Sequence, residues 1–261
     1  MNRDRGLLIS AWINGRGPYT FVIDTGAGLN IVSERLVNEV SLKVTRTRQT
    51  LVGGLSGTTT SSSREAAIDK LALGFQNNVL PGGKSALVVS YLPPGVDGIL
   101  DPTETFAPYG YSIDIPHEQI EMLDDVAELS HHPSNDGAVV VWLHRGDSDR
   151  PFVRLGDGRV ALVDTGSRFG LAISERQAIV VGNRQPHTIP SLDLGGGTIN
   201  ARRVEPTTIS IGELVLRGIP TDILSGVAQD APVILGRDAL YPFKISFDPR
   251  RRSIAFSASD R

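Results

Sequence analysis

The sequence predicts an all-β protein built from two similar halves, and three observations lead to this fold class. Short apolar runs punctuated by glycine and proline recur along the chain, which is typical of strands joined by turns. No long segment shows helical periodicity. The tripeptide Asp-Thr-Gly occurs twice, starting at Asp24 and at Asp164, about half of the 261 residues apart. We therefore expect two β-barrel or β-sandwich lobes related by a pseudo-twofold axis.

The surroundings of the two tripeptides also repeat. Each aspartate follows two apolar runs separated by a glycine-rich turn, which predicts a β-hairpin that delivers the aspartate at its end. The runs and turns are 7–13, 14–17 and 19–23 in the first half, and 152–155, 156–158 and 160–163 in the second.

Further landmarks follow each aspartate in the same order, which predicts an internal duplication. They are a serine that can cap a short helix, a glycine cluster, a strand that ends in glycine, an apolar triplet and a late aspartate. In that order, the first half has Ser33, residues 53–57, 71–74 and 98–100, and Asp114. The second half has Ser174, residues 195–197, 209–212 and 233–235, and Asp248. We expect lobes over residues 1–124 and 138–261, joined by a polar linker over 125–137.

Composition narrows the function classes. The net charge of −3 gives no reason to expect nucleic acid. The chain has no cysteine, which excludes thiol nucleophiles and disulfides, and its five histidines lack metal-ligand spacing, so we expect no metal and no cofactor. No apolar stretch approaches the length of a membrane span. We expect no signal peptide in the chain as given; its compartment stays open, since a trimmed leader would allow export.

Two Asp-Thr-Gly copies are stronger evidence for a functional site than one, because a single copy is more often an Asx turn. A pseudo-twofold axis would bring Asp24 and Asp164 to one interface. Two adjacent carboxylates share a proton at ordinary pH, so one can activate a water while the other protonates a carbonyl oxygen. This pair could hydrolyse an amide without a metal or a covalent intermediate.

The neighbouring residues suit this chemistry. Gly26 and Gly166 leave room for backbone N–H groups to approach the carboxylates. Thr25 and Thr165 can donate hydroxyl hydrogen bonds across the interface.

The fourth residue of each motif differs between the halves. The hydroxyl of Ser167 could donate to Asp164, whereas Ala27 offers nothing equivalent to Asp24. A hydroxyl that donates to a carboxylate lowers its pKa, so we expect Asp164 to be the more acidic partner.

Segments 22–27, 162–167 and 233–238 read Val-Ile-Asp-Thr-Gly-Ala, Leu-Val-Asp-Thr-Gly-Ser and Val-Ile-Leu-Gly-Arg-Asp. In these motifs the chain resembles the retropepsin and pepsin group of aspartic peptidases, and its opening resembles bacterial retropepsin-like proteins. The resemblance implies a single-chain endopeptidase with two acid-protease lobes, a peptide or protein substrate in the cleft, and a water between Asp24 and Asp164. We expect a monomer.

The same resemblance implies flaps over the cleft. We expect two, at the tips of mobile hairpins that carry the glycine clusters. The clusters are Gly53, Gly54 and Gly57 in the first half and Gly195, Gly196 and Gly197 in the second.

One residue departs from the family pattern. Asp101 stands where the family has a glycine, and it is either an extra carboxylate near the site or part of a surface turn. Two rival interpretations of the whole chain remain. One is a non-catalytic peptide-binding relative, and the other is a structural β-sandwich with chance Asp-Thr-Gly turns.

Overall fold

The computed structural model describes residues 6–123, 137–146, 148–178, 188–192 and 197–259, and strands dominate it. The strands up to the linker are β1 (Leu7–Ile13), β2 (Arg16–Ile23), β3 (Ile31–Ser33), β4 (Lys43–Gly53), β5 (Thr59–Ile68), β6 (Leu71–Leu73), β7 (Lys84–Val89), β8 (Gly98–Leu100), β9 (Gly110–Asp114) and β10 (Gln119–Leu123). Those after it are β11 (Ala138–Val141), β12 (Leu143–Arg145), β13 (Ser148–Arg154), β14 (Val160–Asp164), β15 (Leu171–Ser174), β16 (Thr188–Leu192), β17 (Thr198–Ile211), β18 (Leu214–Ser225), β19 (Val233–Gly236), β20 (Phe243–Asp248) and β21 (Ser253–Ala258). Three short helices are α1 (Glu34–Val40), α2 (Pro102–Thr105) and α3 (Arg237–Leu240). The all-β prediction is confirmed.

The two predicted hairpins are present. β1 pairs with β2 antiparallel, with Leu7 opposite Ile23, and β13 pairs with β14, with Phe152 opposite Leu162. Each hairpin ends at one of the two Asp-Thr-Gly segments.

Two eight-stranded sheets have matching strand orders. The first runs β6-β1-β2-β8-β3-β7-β5-β4, and the second runs β12-β13-β14-β19-β15-β18-β17-β16. From the second strand onward each position holds the counterpart of the other sheet. The pairing directions agree as well, because β2 is parallel to β8 as β14 is to β19, and β3 is parallel to β7 as β15 is to β18. This correspondence supports internal duplication.

A third sheet joins strands from both halves. Its order is β10-β9-β20-β21-β11, and β9 pairs with β20 so that Tyr111 lies opposite Phe247. The rings of these two residues stack with centroids 4.7 Å apart. The largest hydrophobic cluster also includes residues from both halves, such as Phe21 and Val163. The two halves therefore share a sheet and a core.

The serine landmarks behave differently from each other. Ser33 caps α1, accepting a hydrogen bond from the N–H of Leu36 at 3.1 Å, as expected. The N–H and the hydroxyl of Ser174 both donate to Oε1 of Gln177 at 3.0 Å. Residues 175–177 form a turn, so the helix expected here does not start within the described residues up to 178. Of the predicted linker, only Gly137 is described, and the limits of the lobes stay a prediction. None of the helices in the part of the chain that the structure describes could span a membrane.

Candidate active site

Both aspartates stand at the ends of central strands. Asp24 directly follows β2, and its N–H donates to the carbonyl of Leu100 at 3.0 Å. Asp164 is the last residue of β14 and is paired in register with Gly236 of β19. Each aspartate is thus held by its own strand and by a parallel neighbour.

The two aspartate loops lie against each other. A β-carbon at Gly26 would be 2.8 Å from Cγ of Asp164, and one at Gly166 would overlap the carboxyl group of Asp24. The two carboxyl groups also hydrogen-bond to each other. Only glycine fits at these positions, because any side chain would displace the opposite carboxyl group.

The two threonines exchange hydrogen bonds between the halves. The hydroxyl of Thr25 donates to the carbonyl of Val163 at 2.7 Å and accepts from the N–H of Thr165 at 3.0 Å. The hydroxyl of Thr165 donates to the carbonyl of Ile23 at 3.1 Å and accepts from the N–H of Thr25 at 3.1 Å. Both threonines are fully buried. These four bonds fix the relative position of the loops.

Backbone N–H groups contact the carboxylates. The N–H of Gly26 donates to Oδ1 of Asp24 at 2.8 Å, and the N–H of Ser167 donates to Oδ1 of Asp164 at 3.0 Å. The hydroxyl of Ser167 instead accepts from the N–H of Phe169 at 3.4 Å. The expected contact to Asp164 is therefore made by the backbone of Ser167 and not by its side chain.

Burial raises the pKa of both aspartates. It raises that of Asp164 well above the ordinary value, and the negative charge of Asp24 raises it further. The pKa of Asp24 is raised by burial, while hydrogen bonds from Gly26 and Asp164 oppose the increase. Because the two groups are both raised and share a proton, the sequence expectation that Asp164 is the more acidic partner stays a prediction. The pair keeps a proton into a pH range where an isolated carboxyl group is ionised.

Arg237 is a contributor that sequence reasoning missed. It is 6% exposed, and its Nη1 donates to the carbonyls of Thr165 at 2.8 Å and Gly166 at 2.7 Å. Its charge also lowers the pKa of both aspartates. Its sequence signal was its place in segment 233–238, which carries the family resemblance, directly after the apolar run.

Asp101 is a buried carboxyl group beside the first aspartate. It is 2% exposed and caps α2, accepting from the N–H of Thr103 at 2.9 Å. Its own N–H donates to the side chain of Asn30 at 3.1 Å. Burial raises its pKa to about 7, and the charge of Asp24 contributes. The surface-turn interpretation is therefore wrong, and an extra carboxyl group does lie near the site.

The first glycine cluster lies in the hairpin between β4 and β5. Gly53 ends β4, Gly54 follows it, and Gly57 has a φ of +74° before β5. The hairpin reaches the second half, where the N–H of Ala228 donates to the carbonyl of Leu55 at 2.9 Å.

Of the second cluster, Gly197 directly precedes β17, whose Thr198 pairs with Leu192 of β16. Gly195 and Gly196 lie outside the described residues. Gly197 is described, and a β-carbon there would collide with the hydroxyls of Ser56 and Thr58. The two glycine-bearing hairpins therefore meet, while their role as flaps stays a prediction.

A cavity of about 590 Å³ lies elsewhere, at the start of β14, where Arg154, Val160 and Val233 line it. None of its lining residues belongs to the aspartate loops. Strand β14 runs about four residues from this cavity to Asp164, so the two are separated by more than 10 Å. The cavity and the paired carboxyl groups are therefore separate features of the structure.

Comparison with known protein families finds a match for part of the chain. Residues 9–100 match the family model described as "Aspartyl protease". The matched segment contains Asp24, Thr25, Gly26 and the first glycine hairpin, and it ends at Leu100. No curated protein matches the chain.

Proposed function

We propose that the chain is a retropepsin-like aspartic endopeptidase with Asp24 and Asp164 as its catalytic pair, from the premise that residues 9–100 match the family model described as "Aspartyl protease". The observation that carries the proposal is the crossed position of the glycines. Gly26 lies against Asp164 and Gly166 lies against Asp24, so the two carboxyl groups share one location.

The reaction follows from one proton on two carboxyl groups. A water between them gives up a proton to the ionised carboxylate as its oxygen attacks the carbonyl carbon of the peptide bond. The protonated carboxyl group donates its proton to the carbonyl oxygen. Collapse of the tetrahedral intermediate then breaks the carbon–nitrogen bond. The leaving amine takes a proton from one carboxyl group, and a hydroxyl of the intermediate returns a proton to the other, which restores the single shared proton.

Thr25, Thr165 and Arg237 hold the pair in place in this proposal. The threonines tie each loop to the backbone of the other half, and Arg237 ties down two carbonyls of the second loop. Such rigidity keeps the carboxyl groups aligned with a bound peptide and limits reorganisation during the reaction.

We further propose that the hairpins β4–β5 and β16–β17 act as flaps over the substrate. The contacts of Leu55 with Ala228, and of Gly197 with Ser56 and Thr58, are consistent with hairpins that meet above a cleft. Peptide entry requires these contacts to open, as lids do in other enzymes.

We also propose two lobes over residues 1–124 and 138–261, linked by 125–137, in a monomer. The matching strand orders of the two large sheets support the two units. The monomer is supported by the presence of both aspartates on one chain, since a second copy is not needed to complete the pair.

Incubation of the protein with a peptide library, followed by mass spectrometry of the products, tests the proposed function. We expect cleavage at internal peptide bonds by the wild type and loss of all products with Asp24→Asn. Asp157→Asn, which changes an exposed aspartate in the β13–β14 turn, is the matched control and should cleave as the wild type does. Products that persist with Asp24→Asn, or products trimmed only from peptide ends, would contradict the proposal.

A further inference from the structure

Asp101 occupies a position that the proposed reaction does not use. In the parallel pair β2 and β8, Ile23 lies in register with Leu100, so the next residues along the two strands are Asp24 and Asp101. Neighbouring strands are about 4.8 Å apart. In the second half the equivalent partner of Asp164 is Gly236, which has no side chain. The first half therefore has a carboxyl group where the second half has none.

The carboxyl group of Asp101 is held in a buried polar network. Its Oδ1 accepts from the N–H of Thr103, whose hydroxyl hydrogen-bonds to that of Tyr111 at 3.0 Å. The side chain of Asn30 accepts from the N–H of Asp101 and from the hydroxyl of Thr105, at 3.1 Å and 2.8 Å. Because these contacts fix the segment, Asp101 cannot turn away from the site without breaking the cap of α2.

The groups that face Asp101 come from three elements. They are Asp24 after β2, Glu104 on α2 and Tyr111 on β9. The charges of Asp24 and Glu104 raise the pKa of Asp101, and burial raises the pKa of Tyr111 well above its usual range, so the phenol stays neutral. When Asp101 ionises, its negative charge therefore interacts mainly with the carboxylates of Asp24 and Glu104.

We propose that Asp101 is a positioning residue that makes Asp24 and Asp164 keep their shared proton to higher pH, through repulsion between its carboxylate and Asp24. This inference rests on the proposed function, since it concerns the same pair. Repulsion between carboxylates is mutual, so an ionised Asp101 disfavours the doubly ionised form of the pair. The monoprotonated, active form then persists toward neutral pH.

The two halves place groups of opposite charge near the aspartate pair, and these groups shift its pKa values in opposite directions. Arg237 follows Gly236 in the second half, and its positive charge lowers the pKa of both aspartates. Asp101 acts in the opposite sense from the first half, where Pro102 stands in place of an arginine. One cation and one carboxyl group therefore act on the pair with opposite effects on its pKa values.

Two measurements on the whole chain test the proposal. The first is the dependence of kcat/KM on pH, and the second is the titration of the aspartate carboxyl carbons by NMR in protein labelled with ¹³C-aspartate. Asp101→Asn keeps an oxygen that can cap α2 but removes the charge, and Asp101→Gly restores the residue type of the second half. Asp114→Asn, which changes a buried aspartate of the third sheet, is the control.

We expect Asp101→Asn and Asp101→Gly to move the basic limb of kcat/KM, and the last titration step of the pair, downward by about one pH unit. Asp114→Asn should leave both where the wild type has them. Unmoved values in Asp101→Asn would overturn the proposal, as would a shift in Asp101→Gly alone, because that would indicate the helix cap and not the charge.

The NMR titration separates this inference from the proposed function. A shifted titration in a protein that cleaves no peptide would leave the inference standing and refute the peptidase. Cleavage that depends on Asp24, together with an unshifted titration, would refute the inference alone.

Discussion

Gly166 approaches Asp24 so closely that a single methyl group on it would overlap the Asp24 carboxyl group. This contact joins residues 142 positions apart in the sequence, and its counterpart joins Gly26 to Asp164. The two glycines are therefore required by the opposite half of the molecule, in addition to any requirement of their own turns.

Gly166→Ala should reduce kcat/KM by a large factor, on the order of a hundredfold, because small displacements of reacting groups have effects of that size. Circular dichroism and unfolding should show a protein that still folds. Gly83→Ala is the control, since its β-carbon would meet only the carbonyl of Ile68 at 3.4 Å. Wild-type activity in Gly166→Ala would show that the close approach is not needed for catalysis.

The threonine exchange predicts a stability difference between two similar substitutions. Thr25→Val keeps the shape but leaves the carbonyl of Val163 and the N–H of Thr165 without their hydroxyl partner. We expect a loss of about 3 kcal/mol in the free energy of unfolding, measured with urea, because buried polar groups without partners are costly.

Thr25→Ser retains the hydroxyl and should lose about 1 kcal/mol, mainly through the missing methyl group. Thr59→Val, at an exposed position in β5, should leave the free energy of unfolding nearly unchanged. Equal losses for the Val and Ser variants at position 25 would mean that the hydroxyl contributes little.

The raised pKa of Asp101 predicts a stability that depends on pH. The folded value of about 7 lies above the unfolded value of about 3.9. Between these values the folded state binds the proton more tightly, so this group's contribution to stability is present at low pH and is lost as pH rises toward 7. The total change is at most about 4 kcal/mol.

Urea unfolding of the wild type and Asp101→Asn at about pH 4 and about pH 7 checks this expectation. The variant lacks the titrating group, so its stability relative to the wild type should improve between the two pH values. A difference that stays constant would show that the Asp101 pKa is close to its unfolded value.

The contact between the first glycine hairpin and the second half predicts an effect on substrate use. Leu55 packs against the cluster that contains Leu162 and Ile234. Leu55→Ala should lower kcat/KM roughly fivefold, since about 1 kcal/mol of apolar contact is lost when the hairpin closes. Leu51→Ala, on the same hairpin but 67% exposed, is the matched control. Equal effects of the two variants would contradict a closing role for Leu55.

Local sequence patterns predicted much of the fold. The hairpins before Asp24 and Asp164 could be derived because apolar runs and glycine turns report directly on neighbouring residues. The duplication also predicted that the two Asp-Thr-Gly segments meet. The third sheet was missed because β9 pairs with β20, more than a hundred residues away, and no local pattern specifies such a pairing.

Three features of the site were beyond sequence reasoning for a related reason. Burial of Asp101 and of Arg237 depends on what the rest of the chain places around them. The contact from Ser167 to Asp164 was expected through the hydroxyl, but the loop presents the backbone N–H instead. Rotamers and local loop geometry decide between such alternatives, and sequence spacing does not encode them.

The most direct test of the catalytic pair compares kcat for Asp24→Asn, Asp164→Asn and the double variant, with folding verified by unfolding curves. Residues that act as one unit give non-additive losses. We predict that each single variant loses as much activity as the double variant does. Losses that multiply in the double variant, or substantial turnover in either single variant, would contradict a shared catalytic pair.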